Sequence, residues 1–138
     1  MKRRWIKIQI KVSTDYAIRI VLYLATKHQI TPSKELSDNL FIPQSVVLKI
    51  GRKLNCNGIV RITTGVAGGF SLQKSAEEIS MFELINIFEP TTKLNRCLEE
   101  DEYCSRFATK NCPVRKFYCK VQMQFEESLK NTTIAELL

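Results

Sequence analysis

Four of the chain's five cysteines fall between Cys97 and Cys119, and thiols are the side chains here whose type and spacing could do chemistry. In a reducing compartment such a cluster does not serve as structural disulfides. Six residues separate Cys97 from Cys104, and seven separate Cys104 from Cys112. Those gaps are too long for a zinc knuckle, which wants close pairs. They suit an irregular loop wrapped around a larger group such as an iron–sulfur cluster, with redox-switching thiols, zinc or a disulfide as competing uses. Pro113 suits the first position of a helix, which puts the Cys112 sulfur at a helix N-terminus, where orphan N–H groups favour thiolate. Cys119 follows seven residues later, about two turns or roughly 11 Å along such a helix, too far to share a compact group with Cys112. Cys56 is expected to be a spectator. With one histidine, no nucleophile elbow and no metalloprotease helix, the sequence predicts no enzyme and no small-molecule substrate.

The elements that must position these thiols follow from hydrophobic spacing. A helix is expected from about Asp15 to Lys27, capped by Ser13 or Thr14, with Tyr16, Ile20, Tyr23, Leu24 and Lys27 in register. Asp15 in its first turn is read as a carboxylate complementing the helix dipole, and His28 as a partner for the last carbonyls. Thr31-Pro32 opens a short helix through Leu40, Phe41-Ile42-Pro43 makes a turn, and a third helix runs from about Gln44 to Asn55. Val47, Ile50 and Leu54 face inward, leaving Gln44, Ser45, Leu48, Lys49, Arg52 and Lys53 outward, the pattern of a helix-turn-helix. Ile59 to Thr64 and Phe70 to Gln73 flank Gly65-Val66-Ala67-Gly68-Gly69, a hairpin in the position of a wing. No Lys-Ser/Thr follows those glycines, which argues against a phosphate loop.

Further on, Ser80 and Glu83 form a capping box, with Ile79 and Leu84 as its staple, before a helix that Pro90 ends. Thr133 and Glu136 repeat the box near the C-terminus. Between them Val114, Phe117, Val121, Phe125 and Leu129 make an apolar stripe of nearly five turns, more than one small core covers; a dimer interface is expected there, with packing onto its own domain as the alternative. The expected fold is mainly α with a small β-wing: a winged helix-turn-helix domain plus a long C-terminal dimerisation helix. The divisions are a basic leader over 1–11, the DNA-binding domain over 12–75, and the cysteine loop with dimerisation helices over 76–138.

The charge supports that division. The 138 residues carry a net +7, but residues 1–75 carry a net +10 and residues 76–138 a net −3. A basic first half points to a polyanion, and double-stranded DNA fits better than a membrane surface because no strongly amphipathic basic helix is present. Lys7, Gln9 and Lys11 break any signal-peptide core in the leader, which predicts a cytoplasmic protein with no membrane partner.

In order and spacing these motifs resemble the Rrf-two family of bacterial winged helix-turn-helix transcription regulators, in its cysteine-containing, NsrR/IscR-like branch. The similar stretches are Ser13-Thr14-Asp15-Tyr16-Ala17, Leu22-Tyr23-Leu24-Ala25, Leu54 with Gly58-Ile59-Val60, Gly65 to Phe70, Ile79 to Ile85, the loop closing on Cys112-Pro113-Val114, and Thr133 to Leu137. The resemblance implies a homodimeric repressor or activator binding a DNA operator and sensing redox state, nitric oxide or iron–sulfur status. It implies Cys97, Cys104 and Cys112 as ligands of a 2Fe–2S or 4Fe–4S cluster, with Asp15 of the other subunit as the fourth. The histidine ligand of IscR-like members has no counterpart, since position 115 is Arg115. The DNA contacts expected are Gln44, Ser45, Lys49 and Arg52 on the third helix and Arg61, Thr63 and Thr64 on the wing, where Thr64 stands in place of the arginine usual before the first glycine. Two other readings compete: a cluster-free thiol-switch regulator of the same fold, and an iron–sulfur assembly or electron-transfer protein.

Overall fold

The computed structural model describes residues 8–138; the first seven residues of the basic leader lie outside them. Among the described residues the order is α1 (Val12–Lys27), α2 (Ser33–Leu40), α3 (Gln44–Cys56), β1 (Val60–Thr63), β2 (Gly69–Leu72), α4 (Met81–Phe88) and α5 (Pro113–Asn131), with short 3-10 turns between them. The mainly helical fold with its small wing is as expected. None of these helices is long and apolar enough to cross a membrane.

The centre is α1, which packs against α2, α3, α4 and β2. Its buried residues are Thr14, Ala17, Ile20, Val21, Leu24 and Ala25. Ile20 and Leu24 were expected; the rest of the stripe is Ala17, Val21 and Ala25 rather than Tyr16, Tyr23 and Lys27. Small residues at four-residue spacing let neighbouring backbones approach closely, and the tyrosines flank that contact half-buried. Tyr23 donates to Glu35 of α2 at 2.9 Å. The helix also starts earlier than expected, at Val12, and neither Ser13 nor Thr14 caps it. The Glu89 carboxylate does so from the end of α4, accepting the Lys11 N–H and the Thr14 hydroxyl, each at 2.7 Å. His28 closes the other end through its backbone, in the left-handed region, with its N–H on the Leu24 carbonyl.

α2 and α3 form the helix-turn-helix. Phe41 takes the left-handed conformation at their turn, and the Ser37 hydroxyl donates to the Ile42 carbonyl at 2.6 Å. Val47, Ile50 and Leu54 are buried. β1 and β2 pair antiparallel, Val60 opposite Leu72 and Thr63 opposite Gly69. Thr31, ahead of α2, exchanges two 2.8 Å backbone hydrogen bonds with Phe70 and so lengthens the wing sheet. Gly69 permits that approach, because a β-carbon there would run into the Thr31 carbonyl. Gly51 in α3 permits another: the buried Phe70 ring occupies the space its side chain would need.

α4 begins with only half of the expected capping box. The Ser80 hydroxyl accepts the Glu83 N–H at 3.1 Å, but the Glu83 carboxylate turns to Lys74. At Ser75 and Glu78 the box is complete. The C-terminal segment closes over this helix start: Ile134, fully buried, donates its N–H to Ile79, and Met81 donates to Thr132, both at 2.9 Å. Only half of the box at Thr133 is recorded, the Glu136 carboxylate accepting the Thr133 N–H at 2.9 Å.

Replacing Gly51 with Ala sets a gain in helix propensity of about 1 kcal/mol against overpacking of the Phe70 ring, which costs about 1–3 kcal/mol. The expected result is a lower urea midpoint for Gly51→Ala, partly restored by Phe70→Leu in the same chain. A raised midpoint in the single variant would contradict this packing.

Candidate functional site

The candidate DNA contacts sit on α3 and the wing. Gln44, Ser45, Lys49 and Arg52 are exposed along α3; Arg61 and Thr64 are exposed on the wing, and Thr63 is half-buried. The Gln44 amide donates to the Ser33 hydroxyl at 3.0 Å, joining the N-termini of α3 and α2. Ser33 was missed in the sequence because a serine after Thr31-Pro32 looks like an ordinary helix start. One residue expected outward, Leu48, is half-buried against the core; Lys53 is exposed as expected, with its ammonium 5.1 Å over the Phe88 ring.

The cysteine loop folds back onto the start of α5. Cys97, Cys104 and Cys112 line one cavity of about 320 Å³, together with Tyr103, Arg115 and Tyr118. Cys119 lines a different one. Cys112 is the N-cap of α5, and its sulfur accepts the Arg115 N–H at 3.4 Å. Cys104 sits at a turn whose backbone amides, that of Ala108 first and then that of Arg106, hold its thiol below the ordinary cysteine value. Arg115 clamps the loop: its Nε donates to the Cys97 carbonyl at 3.2 Å, and its guanidinium pairs with Glu102 at 3.3 Å. No local pattern in the sequence marks this role. Arg96 pairs with Asp101, and the buried Gln122 ties the segment ahead of the loop to α5, accepting the Leu94 N–H and donating to the Thr92 carbonyl.

Among the described residues no three His, Cys, Asp or Glu side chains close up as a single-ion site. The three thiols ring a space instead of meeting at a point. A lone zinc ion draws thiolates in to about 2.3 Å, whereas a cluster spreads its thiolate ligands over several iron atoms. Three soft sulfur donors around one cavity, two of them facing backbone N–H groups, fit the second case. Asp15 does not line the cavity of its own chain; it pairs with Arg19 at 2.8 Å, one turn along α1.

A family model described as "Rrf2: Iron-dependent Transcriptional regulator" matches residues 10–138. The chain belongs to the Rrf2 family. It is 30% identical over 124 residues to an inferred HTH-type transcriptional regulator of Aquifex aeolicus, covering 89% of this chain and 86% of that one. It is also 30% identical over 96 residues to the HTH-type transcriptional regulator NsrR of Shouchella clausii, covering 68% and 64%. Among solved structures, CymR, the global cysteine regulator of B. subtilis, superposes with a TM-score of 0.76 at 22% identity over 94% of this chain and 95% of that one. IscR of T. potens superposes at 0.73 with 17% identity, over 94% and 85%. These two show the shared fold. Rrf2 proteins are DNA-binding transcriptional regulators, not enzymes.

This Rrf2 chain leaves much of α5 bare. Gln122 is the one buried residue of that helix. Val114, Phe117 and Phe125 are 52%, 61% and 36% exposed, and Val121 and Leu129 are half-buried.

The depressed Cys104 thiol has a direct consequence. Its thiolate forms at lower pH in the folded chain than in the unfolded one, so its alkylation by iodoacetamide should reach half-maximal rate at a lower pH in buffer than in urea. Peptide mapping of the metal-free protein would read this, and a native midpoint at or above the urea value would refute the turn geometry.

Proposed function

We propose that this Rrf2 regulator is a homodimer that binds an operator through α3 and the wing and senses through an iron–sulfur cluster held by Cys97, Cys104 and Cys112. The observation that carries the reading is the single cavity those three thiols share, with Cys119 facing another. When bound, the cluster supplies a centre whose charge and ligation change with oxidation or with nitric oxide. The chain's residues do the rest. Cys112 presents sulfur from the N-terminus of α5 and Cys104 from a turn of inward amides, both favouring anionic ligands. Arg115 holds the Cys97 backbone against α5. The fourth ligand is Asp15 of the partner subunit. Its carboxylate is a harder donor than thiolate, leaving that iron the most open to attack. The Arg19 pair engages one of the two Asp15 oxygens, and an exposed pair of this kind is weak.

The dimer is proposed to form along Val114, Phe117, Val121, Phe125 and Leu129. Burying such side chains in both copies contributes on the order of 10 kcal/mol gross, at ~1.5–3 kcal/mol each, before the cost of association. Gln44, Ser45, Lys49 and Arg52 are proposed to enter the major groove, with Arg61, Thr63 and Thr64 at the wing contact. A second reading, a cluster-free thiol switch on the same fold, is favoured by the depressed Cys104 thiol alone. Both readings place the regulator among soluble DNA, in the cytoplasm.

The decisive set is anaerobic purification of variants. Cys97→Ala, Cys104→Ala and Cys112→Ala should each emerge colourless, Asp15→Ala coloured with an altered spectrum, and Cys119→Ala like the parent. A colourless Cys119→Ala beside an unchanged Asp15→Ala would reverse the fourth-ligand assignment. For the DNA surface, Lys49→Ala or Arg52→Ala should weaken operator binding by about 1–3 kcal/mol if the side chain reads a base, or lower the salt slope by about one if it holds phosphate. Unchanged affinity and salt dependence in both would remove α3 from the groove.

A further inference from the structure

One carboxylate outside the cysteine cavity joins the sensing and reading halves. Glu89 is the residue on which α4 ends, its N–H still bonded to the Ile85 carbonyl, and the chain passes from it through Pro90 into the cysteine segment. Its side chain does not follow that path. A single oxygen, Oε1, accepts the Lys11 N–H and the Thr14 hydroxyl at 2.7 Å each. Thr14 is fully buried and immediately precedes Asp15. The Lys11 side chain makes no cap, so Glu89 supplies the anionic partner at this helix end. α1 in turn packs against α3.

We propose that Glu89 is a positioning residue that couples the cysteine segment to α1 and through it to the recognition helix. A change in the segment's path moves the Glu89 backbone; two short hydrogen bonds to one oxygen carry that movement to the first turn of α1. That turn also bears Asp15, so the same carboxylate sets where Asp15 is presented. This inference rests on the sensing role proposed above, but not on which group the thiols hold.

The test compares the parent chain, Glu89→Ala, Glu89→Gln and Thr14→Val. The first readout is the ratio of operator affinities with and without iron and sulfide reconstituted onto the thiols, expected at ~5- to 150-fold for a coupled site. Glu89→Ala should stay coloured while its ratio falls to about one. Glu89→Gln keeps an oxygen that accepts both hydrogens and should keep the ratio within about threefold of the parent. A parental ratio in a coloured Glu89→Ala overturns the proposal. If Glu89→Ala takes up no iron, Thr14→Val decides, since it leaves the cysteine segment unchanged and removes one of the two hydrogen bonds to Glu89: a collapsed ratio supports the coupling and a parental one overturns it. The second readout is hydrogen exchange at the amides of residues 12–16 before and after alkylating the cysteine-loop thiols in a Cys56→Ser, Cys119→Ser chain. Alkylation should change that exchange in the parent and not in Glu89→Ala; an equal change in both overturns the proposal. A parent that binds no iron and sulfide would sink the sensing role alone, because this second readout needs neither.

Discussion

The winged helix-turn-helix half depends on the narrow face of α1. Ala17, Val21 and Ala25 recur at four-residue spacing and are buried to 1% exposure or less. A larger side chain at any of them would push α2, α3, α4 or β2 outward, because close-packed interiors yield little to added volume. The same constraint continues outward. α3 omits a side chain at Gly51 so that Phe70 of the wing can lie against it, and Gly69 omits one so that β2 can pair with Thr31. α3 and the wing thus both pack on one helix.

The cysteine half is held differently. α5 buries one residue, a glutamine, and the loop is tethered by Arg115, by the pair of Arg96 with Asp101 and by Thr91 bonded to Glu99. Polar tethers at the surface are individually weak, and such regions open at lower free energy than a packed core. Lys93 keeps the Glu126 carboxyl below the usual carboxylate range. Its contribution is present above the unfolded carboxylate pKa and lost as pH falls through the lowered folded value, so this tether weakens only in acid. A loop so held can open while the winged half stays folded, as the proposed sensing role requires.

Much of this was legible in the residues, and the reasons differ by element. Helices with strong periodicity were placed well: Val47, Ile50 and Leu54 are buried as their spacing required, and Pro113 did mark the start of α5 with Cys112 as its cap. Local rules failed where a distant side chain outcompeted them. Thr14 had every property of a cap, yet Glu89, 75 residues away, took its hydroxyl. Glu83 was drawn from its box by Lys74. In the cysteine loop, spacing separated Cys119 from the other three because helix rise is a local quantity. The Arg115 clamp was invisible, because it depends on a carbonyl 18 residues earlier folding back beside it. Asp15 could be singled out only by resemblance, and within one chain it faces Arg19.

Cys97, Cys104 and Cys112 are proposed as ligands of one iron–sulfur group in an operator-binding protein. Iron and acid-labile sulfide in the parent chain, purified without oxygen and shown to be competent for operator binding, test this. Equimolar iron and sulfide are expected, both lost together when the three thiols are alkylated in the unfolded chain before refolding. A protein that binds its operator, carries neither element after anaerobic purification and takes up neither on reconstitution would contradict it.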